Sequence, residues 1–203
     1  KLLLQLVLDM PRRGCLNVHP SLLPRFRGPS PVISAILADD RKTGVSIMQV
    51  NAEMDAGPLV AQARIEIDES DWPPPASELT ELLFTEGGNL LAEVLPLWMR
   101  GQLESTEQEE SEAMFTKKFS PEDALLSLSP SADEREQFLK IRAFNERPRA
   151  HFFADANGKK IRVIVAEASW QNDHLIIETV IPEGKKLISY KDFLHSGAIP
   201  YTT

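Results

Sequence analysis

A chain of 203 residues is long enough for one large domain or two small ones, and 42% hydrophobic with 26% charged residues is an ordinary water-soluble composition. A net charge of -8 argues against a nucleic-acid partner for the molecule as a whole, and no apolar run is long enough to span a bilayer. The single Cys15 excludes an internal disulfide and suits a reducing compartment. Leu2 to Leu8 is apolar and lacks a small-residue cleavage site, so it reads as core rather than as a leader. Pro11 to Gly14 is a turn. Cys15, Leu16 and Val18 then read as a buried strand interrupted by Asn17 and His19. Alternate residues of a strand share a face, so those two polar side chains should point the same way. Pro20 cannot continue a central strand, which leaves His19 at the strand's carboxyl end.

Pro24 to Pro29 is a Pro/Arg/Gly loop, and Ser30-Pro31 reads as an N-cap and first turn for a short helix with Val32, Ile33, Ile36 and Leu37 on its apolar face. Thr43 to Val50 reads as a second buried strand, Asn51 to Gly57 as a loop, and Leu59 to Ile67 as a third strand with clear alternation. After the rigid Trp72 to Pro75, Ser77 should cap a long amphipathic helix ending near Arg100, with Gly101 as its stop. The acidic, aperiodic stretch from Gln102 onward reads as a linker. A second unit follows: a helix to about Ala143, then strands over 149–154, 160–168 and 175–181, with Asn157-Gly158 as a hairpin turn and Gly184 as another turn. Lys140 to Arg162 holds seven basic residues and two acidic ones. That local excess could meet phosphates, or it could be a solvated face.

Asn17, His19 and Asp55 form the candidate chemistry. A carboxamide can donate to a developing oxyanion, an imidazole can move a proton near pH 7, and a loop carboxylate can orient it. This suits attack of an amine on an acyl or formyl carbon. No serine or cysteine is placed as a nucleophile, so direct transfer is expected. The plainer alternative is a packed core histidine and a turn aspartate. Arg25, Arg27 and Gly28 either form a solvated loop or grip an anionic end of the substrate. His19, His151, His174 and His195 are scattered, so no metal is expected.

The run Asn17-Val18-His19-Pro20-Ser21-Leu22-Leu23-Pro24, followed by Arg25-Phe26-Arg27-Gly28, resembles the signature of the formyltetrahydrofolate-dependent formyltransferases. Met54-Asp55-Ala56-Gly57 resembles their second motif. Gln108 to Lys118, Ile141 to Asn145, Pro182 to Lys186 and Asp192 to Leu194 are similar to the methionyl-tRNA formyltransferases within that family. The resemblance implies an α/β fold: a partial Rossmann-like catalytic domain with a mostly parallel sheet over residues 1–101, a linker over 102–117, and a small, shortened OB-like β-barrel over 118–203. It implies Asn17, His19 and Asp55 as the catalytic set. Ser21, Leu22, Leu23, Pro24, Met54, Asp55 and Gly57 would lie against the folate. Arg25, Arg27, Lys117, Lys118, Arg142, Arg147, Lys159 and Lys160 would face tRNA. The implied reaction moves a formyl group from the co-substrate 10-formyltetrahydrofolate to the α-amine of methionyl initiator tRNA. No metal and no membrane take part, and the protein would be a monomer in the bacterial cytoplasm or an organelle.

Compared with the family, less of the sheet precedes Cys15. The expected domain therefore lacks its usual front part, which would leave Leu2, Leu3, Leu4, Leu6 and Val7 as exposed apolar surface. The segment from Ser169 to Leu175 is short, implying a barrel without one hairpin. Two alternatives stand beside this reading. One is a formyltransferase acting on a sugar-nucleotide or purine-precursor amine. The other is a truncated, non-catalytic RNA- or folate-binding module.

Overall fold

The structure, a computed structural model, describes residues 5–8 and 10–202. Leu2, Leu3 and Leu4 lie outside the described residues, while Leu6 is 75% exposed and Val7 40%. The chain forms two units. The first holds residues up to Pro74 together with Glu78–Lys118, and the second holds Pro75–Ser77 with the chain from Phe119 onward.

The first unit contains α1 (Gln5–Leu8), β1 (Leu16–His19), α2 (Pro31–Leu37), β2 (Thr43–Gln49), β3 (Leu59–Ile65) and most of α3 (Ala76–Met99). Its sheet has the order β1-β2-β3, and both pairings are antiparallel. This corrects the expectation of a mostly parallel sheet. β2 is buried at six of its seven positions, which gives the unbroken apolar run that a parallel strand would also give. The sense is set by the connections. The nine residues from Val50 to Pro58 are too few for a crossover, and α2 is only seven residues long. Cys15 precedes the strand rather than lying in it, and Leu16, Asn17 and Val18 are half-buried because β1 is at the sheet's edge.

α3 covers one face of this sheet. Ala76, Leu79, Leu83, Gly87, Val94 and Trp98 are its buried positions, spaced at helical period, while Leu82 and Leu95 are exposed. A Cβ at Gly87 would stand 2.5 Å from Val18 Cγ1, so the helix backbone lies directly on β1. Val18 therefore faces α3, and Asn17 and His19 face the other side by alternation. On that other side Ser46 of β2 accepts from the Leu23 N–H at 3.0 Å and donates to the Ser21 carbonyl at 2.6 Å. These bonds fold the loop after Pro20 back over the sheet. Ser30, expected as an N-cap, makes no side-chain capping bond; its N–H donates to Thr116 Oγ1 instead.

The second unit packs α4 (Glu134–Ala143) and α5 (Tyr190–His195) on a five-stranded antiparallel sheet, β7-β6-β5-β4-β8. Its strands are β4 (His151–Ala156), β5 (Lys159–Gln171), β6 (His174–Pro182), β7 (Ile188–Ser189) and β8 (Ile199–Pro200). Phe138, Phe144, Phe152, Val163, Val180 and Phe193 fill the core. Asp133 caps α4, accepting from the N–H groups of Arg135 and Glu136. Asn157-Gly158 turns β4 into β5 with both residues at positive φ, as its composition predicts. Asn172-Asp173 does the same between β5 and β6, so the short segment there is a tight hairpin. No closed barrel forms among the described residues, contrary to the OB-like expectation. β7 and β8 sit at opposite edges, and at two residues each they are too short to pair and close the sheet. Ser77 lies within α3 rather than before it. Its N–H donates to Asn145 Oδ1, and its hydroxyl accepts from Asn145 Nδ2.

Candidate active site

His19 ends β1 and is 4% exposed. Its Nε2 lies 3.0 Å from the Phe26 carbonyl. A carbonyl can only accept, so the ring proton resides on Nε2 and the Nδ1 lone pair is free. That lone pair faces Asp55 Oδ2 at 3.8 Å. Burial pushes the imidazole pKa below its ordinary 6.5, opposed by the Phe26 carbonyl and the Asp55 charge. The group is therefore a neutral base at pH 7. Two bends in the backbone build this arrangement. Phe26 and Asp55 sit at φ of 59° and 51°, a region that costs side-chain-bearing residues roughly 1–2 kcal/mol each. The first aims the Phe26 carbonyl at the ring, and the second turns the carboxylate toward it. Asp55 Oδ2 also accepts from the Gly28 N–H at 2.8 Å.

Asn17 stands two residues before His19 on the same face, half-buried, and no described residue occupies its carboxamide. The structure thus brings His19 and Asp55 into contact and leaves Asn17 on the same face of β1 as His19. Among the described residues no group of three or more His, Cys, Asp or Glu side chains is disposed to hold a metal ion, and no helix is long and apolar enough to cross a membrane. A cavity of about 1110 Å³ in the first unit is lined by Leu16, Gln49, Trp98 and neighbours, and it includes none of the three.

Residues 1–95 match the formyl transferase family. The chain is 40% identical over 183 residues to a methionyl-tRNA formyltransferase of Chloroflexus aurantiacus, a match covering 89% of this chain and 56% of that one. It spans about half the length of the curated relatives it matches. Its fold matches a methionyl-tRNA formyltransferase from Clostridium thermocellum, with a TM-score of 0.60 and 23% identity over 86% of this chain and 69% of the other. It also matches an N-formyltransferase from Helicobacter canadensis solved with folinic acid and dTDP-3-aminofucose, with a TM-score of 0.60 and 16% identity over 92% and 66%.

Within residues 1–95, the residues expected against folate divide into two sets. Ser21, Leu23, Pro24 and Gly57 are buried. Ser21 spends its hydroxyl on the Arg25 carbonyl, and a Cβ at Gly57 would collide with the Gln49 carbonyl. Leu22 is half-buried, and Met54 is 54% exposed beside Asp55. Arg25 pairs with Asp40. Arg27 is 2% exposed, donating through Nε to Gln108 Oε1 at 3.0 Å and through Nη1 to Glu110 at 2.9 Å. The segment read as a linker is thus bound to the site loop, and it also pairs through Met114 and Thr116 with Pro24 and Arg27. Sequence reasoning missed Gln108 and Glu110. The available signal was an arginine in a Pro/Gly loop, which needs an acceptor once buried, and an acidic stretch that offers one.

Lys117 and Lys118 are exposed at the end of the first unit. In the second unit Arg147, Lys159 and Lys160 are exposed, and Arg142 is half-buried over the Phe138 ring at 5.1 Å. Arg147, Arg149 and Arg162 line a cavity of about 550 Å³ with Phe119, a combination suited to phosphate and a flat ring.

Proposed function

We propose that this chain transfers a formyl group from 10-formyltetrahydrofolate to the α-amino group of methionyl initiator tRNA, the step that prepares this tRNA for translation initiation. The observation that carries it is the neutral, buried His19 with its Nδ1 lone pair 3.8 Å from Asp55, beside the unengaged Asn17 carboxamide. The donor fits the residues present: Met54 offers apolar surface at the loop, and Asn17 offers a donor that no described residue engages. When bound, the folate supplies an activated formyl carbon. In the overall reaction the amine nitrogen bonds to that carbon, the bond to the folate nitrogen breaks, and the proton lost by the amine ends on the folate nitrogen.

The chain's own residues act on charge and protons. Asn17 donates a hydrogen bond to the formyl oxygen as it gains negative charge. His19 Nδ1 takes the amine proton, and the Asp55 carboxylate stabilises the imidazolium that results. The Phe26 carbonyl keeps Nε2 protonated throughout, so the basic atom is the one facing Asp55. The 40% identity to a methionyl-tRNA formyltransferase and the arginine-lined cavity of the second unit support a tRNA acceptor over a small amine.

Formyl transfer to charged initiator tRNA, measured for wild type, His19→Ala and Asp55→Asn, tests the reading. Both variants should lose roughly 100-fold or more of kcat, the scale of a positioned proton-transfer group. Wild-type turnover by His19→Ala would end the catalytic assignment. Turnover with a nucleotide-sugar amine in place of charged tRNA would change the acceptor.

A further inference from the structure

The Asp55 loop is held from outside by a side chain that belongs to the polar segment 53 residues later. Gln108 Nε2 donates to the Asp55 carbonyl at 2.9 Å and to the Gly57 carbonyl at 2.7 Å. Its Oε1 accepts from Arg27 Nε at 3.0 Å. The carboxamide has one workable orientation, because both carbonyls only accept and the guanidinium only donates. Arg27 is itself fixed by Glu110 and by backbone pairing with Met114 and Thr116. The neighbouring Gly28 N–H holds the Asp55 carboxylate at 2.8 Å. The Arg27-Gly28 dipeptide therefore controls Asp55 at both ends, the carboxylate directly and the backbone through Gln108. Asp55 needs such control, since its φ of 51° is one that only a surrounding structure holds in place.

We propose that Gln108 is a positioning residue for Asp55, its carboxamide, oriented by Arg27, setting the distance between the Asp55 carboxylate and the His19 imidazole. This rests on the reading of Asp55 as the partner of a catalytic His19. Gln108 touches neither substrate nor reacting atoms in this scheme. Its effect passes through the loop, which separates it from a residue that merely stabilises the fold.

Two variants divide the possibilities. Gln108→Glu keeps an acceptor for Arg27 but replaces both donors with an oxygen facing two carbonyls. Gln108→Asn keeps the donors on a shorter stem. Two readouts are taken in the full chain: the kinetics of formyl transfer, and the NMR titration of the His19 ring, assigned by its loss in His19→Asn. The ring faces the Phe26 carbonyl from one loop and the Asp55 carboxylate from the other, and Asp55 is the charge that raises its midpoint. Gln108→Glu should lower kcat roughly 10- to 100-fold, the scale of a misplacement near 1 Å, with KM for the tRNA within about twofold. It should also move the His19 midpoint downward, with Gln108→Asn intermediate in both readouts. The proposal is overturned if Gln108→Glu, folded by circular dichroism, leaves kcat and the His19 midpoint at wild-type values while Asp55→Asn lowers both. It is equally overturned if Gln108→Glu and Gln108→Asn lose activity with an unmoved midpoint. Absence of formyl transfer by wild type would remove the functional reading instead, and the titration would still decide whether Gln108 sets the Asp55–His19 contact.

Discussion

A buried imidazole that stays neutral makes the first unit sensitive to acid, and the sign follows from where the proton binds. In the unfolded chain His19 takes up a proton near its ordinary 6.5; in the folded chain burial holds its pKa lower. Between those two values the unfolded state binds more protons, so stability falls as pH drops through the window and is fully present above 6.5. His151 is depressed in the same direction, burial again being the largest cause, and it adds to the wild-type slope. Hydrogen exchange of the β2 amides at pH 7.5 and 5.5 isolates the His19 share. Wild type should lose more protection over that interval than His19→Asn, and equal losses would mean that His19 is not held neutral. The Asn17/His19 pair was legible in the sequence, because alternation along a strand needs no knowledge of distant residues. The partners of Arg27 were not, since Gln108 and Glu110 lie 81 and 83 residues away and no local period marks their approach.

At the level of elements, the contact between α3 and β1 depends on one glycine and not on its neighbour. A Cβ at Gly87 would stand 2.5 Å from Val18 Cγ1, while one at Gly88 would meet nothing within 4 Å. Replacing a mid-helix glycine by alanine gains about 1 kcal/mol in helix propensity. At Gly88 that gain should appear in full, raising the urea midpoint. At Gly87 it is opposed by overpacking of about 1–3 kcal/mol, because the β-branched Val18 has little rotamer freedom with which to yield. Gly87→Ala should therefore lower the midpoint or leave it unchanged. A rise equal to that of Gly88→Ala would show that the helix does not press on Val18. The same distinction between local and non-local information explains which elements could be read in advance. The Asn157-Gly158 hairpin and the long helix were visible from turn chemistry and period. The sense of the first sheet was not, because β2 is covered on both faces and its apolar run is the same for either sense. The open second sheet was hidden for a similar reason: β7 and β8 are two residues each and carry no periodicity.

At the scale of the whole molecule, an acidic protein could hold RNA, as the proposed function requires, only where its positive charge is locally concentrated. The net charge is -8, yet Lys140 to Arg162 carries seven basic residues against two acidic ones. Of these, Arg147 and Lys159 are exposed, and so is Lys160, whose ammonium lies over the Phe153 ring at 4.3 Å, whereas Lys140 is paired with Glu136 and Arg162 donates to the Arg149 carbonyl. Exposed cations that no carboxylate neutralises displace condensed counterions, so the salt dependence of binding counts them. Each phosphate neutralised on a duplex stem contributes a slope of about -0.9 in log affinity against log salt, and three such contacts give a slope of about -2.7. Binding of labelled initiator tRNA, titrated between 50 and 200 mM salt, should show a slope of that size. The double variant Arg147→Ala, Lys159→Ala should flatten the slope by roughly two contacts' worth, with its largest loss of affinity at low salt. The acidic remainder of the chain sharpens this expectation, because its repulsion weakens non-specific binding that would mask the loss. An unchanged slope in the double variant would move the RNA-facing surface away from this cluster, toward Lys117 and Lys118 at the end of the first unit.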